Sequence, residues 1–179
     1  MLLAAGGLAC RRSRPLEATW QPDGGWSSDF PPFRSVYFKA LQPFLPAAVP
    51  GFQQVRDEGS TGRYGDVSVS EAERVFAREN QEIAVRIIDS TTVAKLAEGI
   101  TAAAQAARQQ PKDVAVPLSL PSAVGYLRFD AAEEKAEANL LVGNRFIVAV
   151  SSRGLNDGKE VRRIVESLDS EGLAKLAAW

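Results

Sequence analysis

The sequence predicts an α+β fold. A β-hairpin, a helix, a three- to four-stranded meander and a final helix would form an antiparallel sheet with the helices packed mainly on one face. Three observations predict it. Strand-like segments flank the dipeptide Glu79-Asn80, as the two arms of a hairpin do. An alanine-rich stripe at helical spacing follows Asp89. Beyond that stripe, further strand-like segments precede a last helical block.

The N-terminus carries a candidate targeting signal. Gly7-Leu8-Ala9-Cys10 resembles the box before the lipid-bearing cysteine of bacterial lipoproteins, so residues 1–10 are predicted as a truncated export signal with Cys10 as the lipidation site. The apolar run is short and lacks a preceding basic residue, and we expect residues upstream of Met1 to supply both. Two alternatives stay open: an unlipidated export signal, and a hydrophobic N-terminus in which Cys10 packs as a small buried side chain.

Residues 11–32 are predicted to be a tether, because they contain four prolines, a glycine pair and no periodic apolar pattern. Their aromatic residues Trp20, Trp26 and Phe30 are unusual for a free linker. These side chains either strap the segment to the outer face of the domain or form a patch that binds a partner. The remaining residues, 33–179, are predicted to be one domain.

The first half of this domain begins with a helix from Phe33 that Pro43 and Pro46 end. A hairpin follows, with strands at Asp66–Ala77 and Glu82–Asp89. With Glu79-Asn80 as its loop, the pairs are Phe76 with Ile83, Arg74 with Val85, Glu73 with Arg86 and Ala72 with Ile87. In a regular strand, Val67 and Val69 would lie on the face opposite to Phe76. We therefore expect a bulge near Ser70 that brings them to the same face.

The second half begins with a helix that Asp89, Ser90 or Thr91 caps, that ends before Pro111 and that lies on the sheet. Its stripe comprises Val93, Leu96, Ala97, Ile100, Ala103, Ala104 and Ala107. The meander is predicted at Val114–Leu120 (an edge strand because of Pro117), Val124–Asp130, Ala136–Val142 and Arg145–Ser152. A two-residue loop, Gly143-Asn144, sets Leu141 opposite Phe146. Two helices follow from Asn156 onward.

The composition limits the chemistry. The chain has 179 residues, a net charge of −1, no histidine and one cysteine. It therefore lacks the commonest general base, and it can form neither an intramolecular disulfide nor a cysteine zinc site. We expect no cofactor. The balanced charge argues against nucleic-acid binding, and no segment reaches the roughly 20 apolar residues of a membrane span.

The candidate sites are weak ones. "GSTGRYGD", residues 59–66, has the glycines of a phosphate loop without its lysine and spacing, which favours a flexible turn. Ser90 and Thr91 offer hydroxyls at a helix start, either as caps or as part of an anion site. Glu71 and Glu73 share one strand face and allow acid–base chemistry, although the nearby Arg86 favours a plain ion pair.

From about Leu45 onward, the segments "LPAAVPGF", "YGDVSVSEAERVF" and "ANLLVGNRFIVAV" resemble a family of uncharacterised small bacterial envelope domains of lipoprotein type. The resemblance implies a fold and a compartment and assigns no catalytic residue. We therefore expect a non-enzymatic cell-envelope protein on the periplasmic side, with a lipid anchor at Cys10 and a protein or small ligand as its partner. The alternatives are a carboxylate- or lysine-dependent envelope hydrolase, a structural spacer, and a cytoplasmic location if Met1 is the true start.

Overall fold

The structure, a computed structural model, describes residues 35–65, 67–109 and 115–178, together with the backbone of residues 19–20 and 26–27. Those two pairs of residues form the short antiparallel strands β1 (Thr19–Trp20) and β2 (Trp26–Ser27). The predicted signal with Cys10, and the rest of the predicted tether, lie outside the described residues.

Seven strands form one open antiparallel sheet in the order β3-β4-β5-β9-β8-β7-β6. The strands are β3 (Gln53–Tyr64), β4 (Val67–Arg78), β5 (Gln81–Ser90), β6 (Val116–Leu120), β7 (Ala123–Asp130), β8 (Lys135–Val142) and β9 (Phe146–Arg153). The helices are α1 (Phe38–Leu41), α2 (Val93–Gln109), α3 (Lys159–Ser167) and α4 (Ser170–Lys175), with 3₁₀ turns at Gln42–Phe44 and Leu176–Ala178.

The predicted α+β arrangement is wrong in its architecture. The hairpin and the meander are parts of one wide sheet, joined where β5 pairs with β9, and this sheet dominates the molecule. The helices are short apart from α2, and they lie on both faces of the sheet, not mainly on one. The reason is that apolar residues occur on both sides of the central strands, so both sides need a cover.

Strand β3 was not predicted. Its residues are polar, and most of them are exposed on both faces, so the sequence lacks the alternation that marks a half-buried strand. The segment forms the edge of the sheet, where charged side chains such as Arg56, Asp57 and Glu58 protect against association with another strand. The predicted turn at residues 59–66 is thus largely strand. Glycine at position 59 allows the strand to pass next to Phe38, because a Cβ there would clash with the Phe38 ring.

The first predicted helix is much shorter than expected. Its α-helical part covers only Phe38–Leu41 before the chain tightens into the 3₁₀ turn that contains Pro43. Phe33 lies outside the described residues. The buried Leu41 and Leu45 still anchor this segment on the sheet, which explains the helical spacing of its apolar residues.

The register predicted for the β4–β5 hairpin is confirmed. Phe76 pairs with Ile83, Arg74 with Val85, Glu73 with Arg86 and Ala72 with Ile87. The bulge predicted near Ser70 is wrong, because β4 pairs regularly with β5 from Val69 to Arg78. Val67 and Val69 share the face of Glu71. The alternate positions Ser68 and Ser70 are buried among hydroxyls, Ser68 Oγ bonding to Ser35 Oγ and Ser70 Oγ to Thr61 Oγ1.

The register predicted for the β8–β9 hairpin is wrong by one residue. Leu141 pairs with Ile147, and Val142 pairs with Phe146, because the loop contains three residues, Gly143 to Arg145. Gly143 and Asn144 adopt left-handed backbone angles, with φ of +57° and +54°. The shift exchanges the faces of the strand, so that Leu140 lies on the same face as Phe146 and Val148.

The main core lies between one face of the sheet and the helices α1, α3 and α4. We call this side the core face. It carries buried side chains from every strand of the seven-stranded sheet except β3, and Leu41, Val161, Ile164, Val165 and Leu173 of the helices pack against them. The two helices predicted from Asn156 onward are thus present as α3 and α4, with their apolar side chains against the sheet. Asp169 caps α4 by accepting a hydrogen bond from Gly172 N at 2.8 Å.

Helix α2 covers part of the opposite side, which we call the groove face. Ile100 packs there against Leu141 and Ile147, flanked by the half-buried Val93, Ala97, Ile88 and Val124. The predicted stripe is only partly correct, since Leu96 is 56% exposed. Among the residues that the structure describes, no helix is both long and apolar enough to cross a bilayer.

Candidate binding groove

The groove face carries a depression of about 770 Å³ beside α2. Strand pairing explains its floor. Ile88 and Ile147 lie in the row of side chains that α2 covers, and the next row contains Arg86, Ala149 and Asn139. In the row after that, Ala84 pairs with Ser151. Small side chains at the centre of the sheet thus leave a hollow between longer ones.

The walls of the groove come from three parts of the fold. Arg56, Glu73 and Arg86 of β3 to β5 line one side, and Tyr126, Lys135, Glu137 and Asn139 of β7 and β8 line the other. Lys95, Leu96, Gly99 and Ile100 of α2 form the third wall. Asn139 Nδ2 donates a hydrogen bond to Tyr126 Oη at 3.4 Å, and Lys135 Nζ lies 2.6 Å from Glu137 Oε1.

A buried carboxylate organises the first wall. The side chain of Glu73 is only 7% exposed, and each of its oxygens faces an arginine. Arg86 Nη2 and Nε donate to Glu73 Oε2 at 2.6 and 2.9 Å, and Arg56 Nη2 lies 2.8 Å from Glu73 Oε1. The hydrogen bonds from Arg86 to Glu73 raise the pKa of this guanidinium above its usual value. The cross-strand ion pair predicted for Glu73 and Arg86 is therefore present, with Arg56 as an additional member.

Glu71 lies at the margin of this cluster. Its Oε1 is 3.1 Å from Arg86 Nε, but its side chain does not line the groove. Both carboxylates of the predicted acid–base pair, Glu71 and Glu73, therefore contact the same guanidinium group, that of Arg86. Both oxygens of Glu73 already contact guanidinium groups, an arrangement that favours the plain ion pair over acid–base chemistry.

Ser90 and Thr91 serve the backbone where β5 leads into α2. Ser90 Oγ accepts a hydrogen bond from Thr92 N at 3.2 Å, and Thr91 Oγ1 accepts one from Ser68 N at 3.1 Å. Neither residue lines the groove. The capping role predicted for Asp89 is wrong, because Asp89 is a strand residue whose carboxylate binds Arg145. A segment rich in hydroxyls and acids predicts a helix start, but it does not determine which residue caps it.

Several residues of the groove were missed by the sequence analysis. Arg56 belongs to the unpredicted strand β3, and Lys95 is an exposed helix residue with no pattern to distinguish it. Tyr126, Asn139 and Ser151 occupy the polar alternate positions of β7, β8 and β9. Their common face could have been derived from this alternation if the β8–β9 loop had been assigned three residues.

The described residues contain no group of three or more carboxylate, histidine or cysteine side chains placed to hold a metal ion. Comparison of the chain with protein-family models, curated proteins and solved structures finds no match in any of the three. The resemblance to envelope domains therefore stays a prediction, and the function has to be argued from the groove.

Proposed function

We propose that this protein is a non-enzymatic binding module that holds a ligand in the groove beside α2. One observation carries the proposal. Helix α2 covers only part of the groove face, and the uncovered part beside it is a groove of about 770 Å³. The exposed side chain of Leu96 lies at the margin of this groove. Pockets for small organic ligands commonly have volumes of about 300 to 1,000 Å³ and a mostly apolar lining with a few polar groups. A purely structural spacer has no need of such a hollow.

No observation favours the alternative of an envelope hydrolase. Lys95 and Lys135 line the same groove as Glu73, but the arginines occupy both oxygens of that carboxylate. Lys135 in turn is paired with Glu137. Glu73 and Lys135 are thus both held in ion pairs, which disfavours a role in proton transfer.

Binding of Nile red, a neutral dye that fluoresces in apolar surroundings, tests the proposal. We expect a saturable increase in fluorescence with one site per chain. The variant Ala149→Trp fills the centre of the floor and should weaken dye binding by roughly tenfold or more, since each tenfold corresponds to about 1.4 kcal/mol. The control is Ala106→Trp, at an exposed position of α2 that does not line the groove. Dye binding to Ala149→Trp equal to that of the wild type would refute the proposal.

We also propose that residues 1–32 hold this module at the cell envelope through a lipid on Cys10. The support is the similarity of Gly7-Leu8-Ala9-Cys10 to a lipoprotein box. The intact mass of the protein, purified from the membrane and soluble fractions of its host, tests this. A mature chain that begins at Cys10 and carries acyl mass is the expected result. An unmodified soluble chain that retains Leu2 to Ala9 would refute it and favour a cytoplasmic location.

A further inference from the structure

The groove combines an apolar part with a charged part. Its lining next to α2 is formed by Ile88, Ile100, Ile147 and the exposed Leu96. One row further from the helix, Arg86 projects from the same face beside Ala149, and Glu73 and Arg56 lie on the adjoining strands. A ligand that fills the groove therefore meets apolar surface at one end and guanidinium groups at the other.

The two guanidinium groups are held by a buried carboxylate. Glu73 binds Nη2 of Arg56 and both Nε and Nη2 of Arg86. Nη1 of neither arginine makes a hydrogen bond to the residues that the structure describes. Because Glu73 holds both guanidinium groups through their other nitrogens, little side-chain freedom is lost when an anionic ligand binds to them.

Over the groove lining as a whole, cationic side chains outnumber carboxylates. The groove-lining side chains include five cationic ones, Arg56, Arg86, Lys95, Lys135 and Arg153, against the three carboxylates Glu73, Glu82 and Glu137. The whole chain, by contrast, has 21 basic and 22 acidic residues. Glu58 and Glu71, which also contact the two guanidinium groups of the first wall, do not line the groove.

We propose that the ligand is a small amphiphile with an anionic head group, carboxylate or phosphate, bound by Arg56 and Arg86, and an apolar tail that lies between α2 and the floor. This inference rests on the proposed binding function and names the ligand class for the same groove. Glu73 acts as a positioning residue, which orients the two arginines and does not touch the ligand.

Displacement of Nile red from the full chain by ligands with one common tail tests the head-group preference. The probes are decanoate, decyl phosphate, 1-decanol and decyltrimethylammonium, each below its micelle concentration, with acetate and inorganic phosphate as head groups alone. We expect decanoate, decyl phosphate or both to displace the dye at concentrations roughly tenfold lower than the neutral and cationic probes, in keeping with a charge-assisted hydrogen bond. The head groups alone should displace little.

Two variants assign this preference to the arginines. Arg86→Met and Arg56→Met should each reduce the preference for the anionic probes over 1-decanol to roughly threefold or less, while 1-decanol binds unchanged. Arg56 lies in the edge strand away from the main core, so its variant remains informative if Arg86→Met is unstable. Arg128→Met is the matched control, because Arg128 is an exposed arginine of β7 that does not line the groove.

Different failures have different meanings. Equal displacement by the anionic probes and 1-decanol would overturn the head-group assignment and leave the binding groove intact. A preference unchanged in both arginine variants would overturn the role of the arginines. Absence of dye binding to the wild type would overturn the binding function itself. If Nile red bound only after the double substitution Trp20→Ala and Trp26→Ala, the chain's own N-terminal segment would be the occupant, and the amphiphile proposal would be wrong.

Discussion

Asp89 and Arg145 form a bidentate ion pair between β5 and the loop that precedes β9. Arg145 Nε donates to Asp89 Oδ1 at 3.0 Å, and Arg145 Nη2 donates to Asp89 Oδ2 at 2.9 Å. Asp89 is only 2% exposed and also accepts a hydrogen bond from Val36 N at 2.7 Å. The pair therefore joins the start of the described domain, the end of β5 and the β8–β9 loop.

Removal of the arginine should destabilise the fold strongly. Arg145→Met leaves the buried carboxylate of Asp89 without its cation, and breaking a buried pair in this way costs about 3 to 5 kcal/mol. We expect the free energy of unfolding in urea to fall by about 3 kcal/mol. The control Arg128→Met removes an exposed arginine and should change it by less than about 0.5 kcal/mol. Equal stability of the two variants would show that the pair contributes nothing.

Gly125 lies where two strands approach too closely for a side chain. A Cβ at this position would lie 2.1 Å from Asn139 O and 2.9 Å from Leu140 Cα, both backbone atoms of β8. We therefore expect Gly125→Ala to lower the free energy of unfolding by about 3 kcal/mol or more, because the sheet has to separate locally. Thermal unfolding followed by circular dichroism measures the effect.

Gly99 provides the matched control for that substitution. It lies in α2, and a Cβ at this position meets nothing within 4 Å. Gly99→Ala should raise the free energy of unfolding by about 0.5 to 1 kcal/mol, since alanine has the higher helix propensity. Opposite signs for the two glycine-to-alanine changes are the expected outcome. A loss of stability in Gly99→Ala would contradict the described packing of α2.

The cap of α4 should contribute measurably to stability. Asp169 Oδ1 accepts the hydrogen bond of Gly172 N at 2.8 Å. Asp169→Ala leaves this amide without its partner and should lower the free energy of unfolding by about 1 kcal/mol, whereas Asp169→Asn should retain most of it. A chemical denaturation series on the three proteins compares the values. A cost in Asp169→Asn as large as that in Asp169→Ala would mean that capping is not the cause.

Asp157 should make the stability of the fold depend on pH in the acidic range. The carboxyl of Asp157 bonds to the side chain and the backbone N–H of Lys159, which lowers its pKa below the ordinary value of 3.8. A carboxyl with a lowered pKa in the folded state adds stability above its unfolded pKa, and this stability is lost as pH falls through the folded pKa. Asp157→Asn should therefore unfold at a lower temperature than the wild type at pH 7, with the difference disappearing once the pH falls below the lowered pKa of the folded state. A difference that persists in acid would point to a cause other than the charge.

Whether the sequence predicts the register of a hairpin correctly depends on whether local or distant residues determine that register. The β4–β5 register follows from a two-residue loop and from opposite charges at Glu73 and Arg86, all of which are local. In the β8–β9 hairpin, Arg145 belongs to the loop, where its guanidinium binds Asp89, 56 positions away in the sequence. No local pattern contains that information.

The groove was predicted only in part for a related reason. Glu71 and Glu73 are predictable because they alternate on one strand face, and Arg86 is predictable because the hairpin register sets it opposite Glu73. Arg56 was missed because β3 is a polar edge strand that exists only through its pairing with β4. Lys95 joins the site through the packing of α2 on the sheet, which depends on the position of the whole helix. Which part of the groove face α2 covers is thus set by tertiary packing and not by local sequence.

The order of the strands has a consequence for how the chain can be divided. Within the seven-stranded sheet, only the pairing of β5 with β9 joins strands that are not consecutive in the chain. Helix α2 follows β5 in sequence, yet it packs mainly on β6 and β7 of the later half. Each half thus carries a surface that the other half completes, so fragments cut between α2 and β6 should recombine into one molecule. Such fragment complementation would allow the wall from β3 to β5 and the wall from β7 and β8 to be labelled or varied separately.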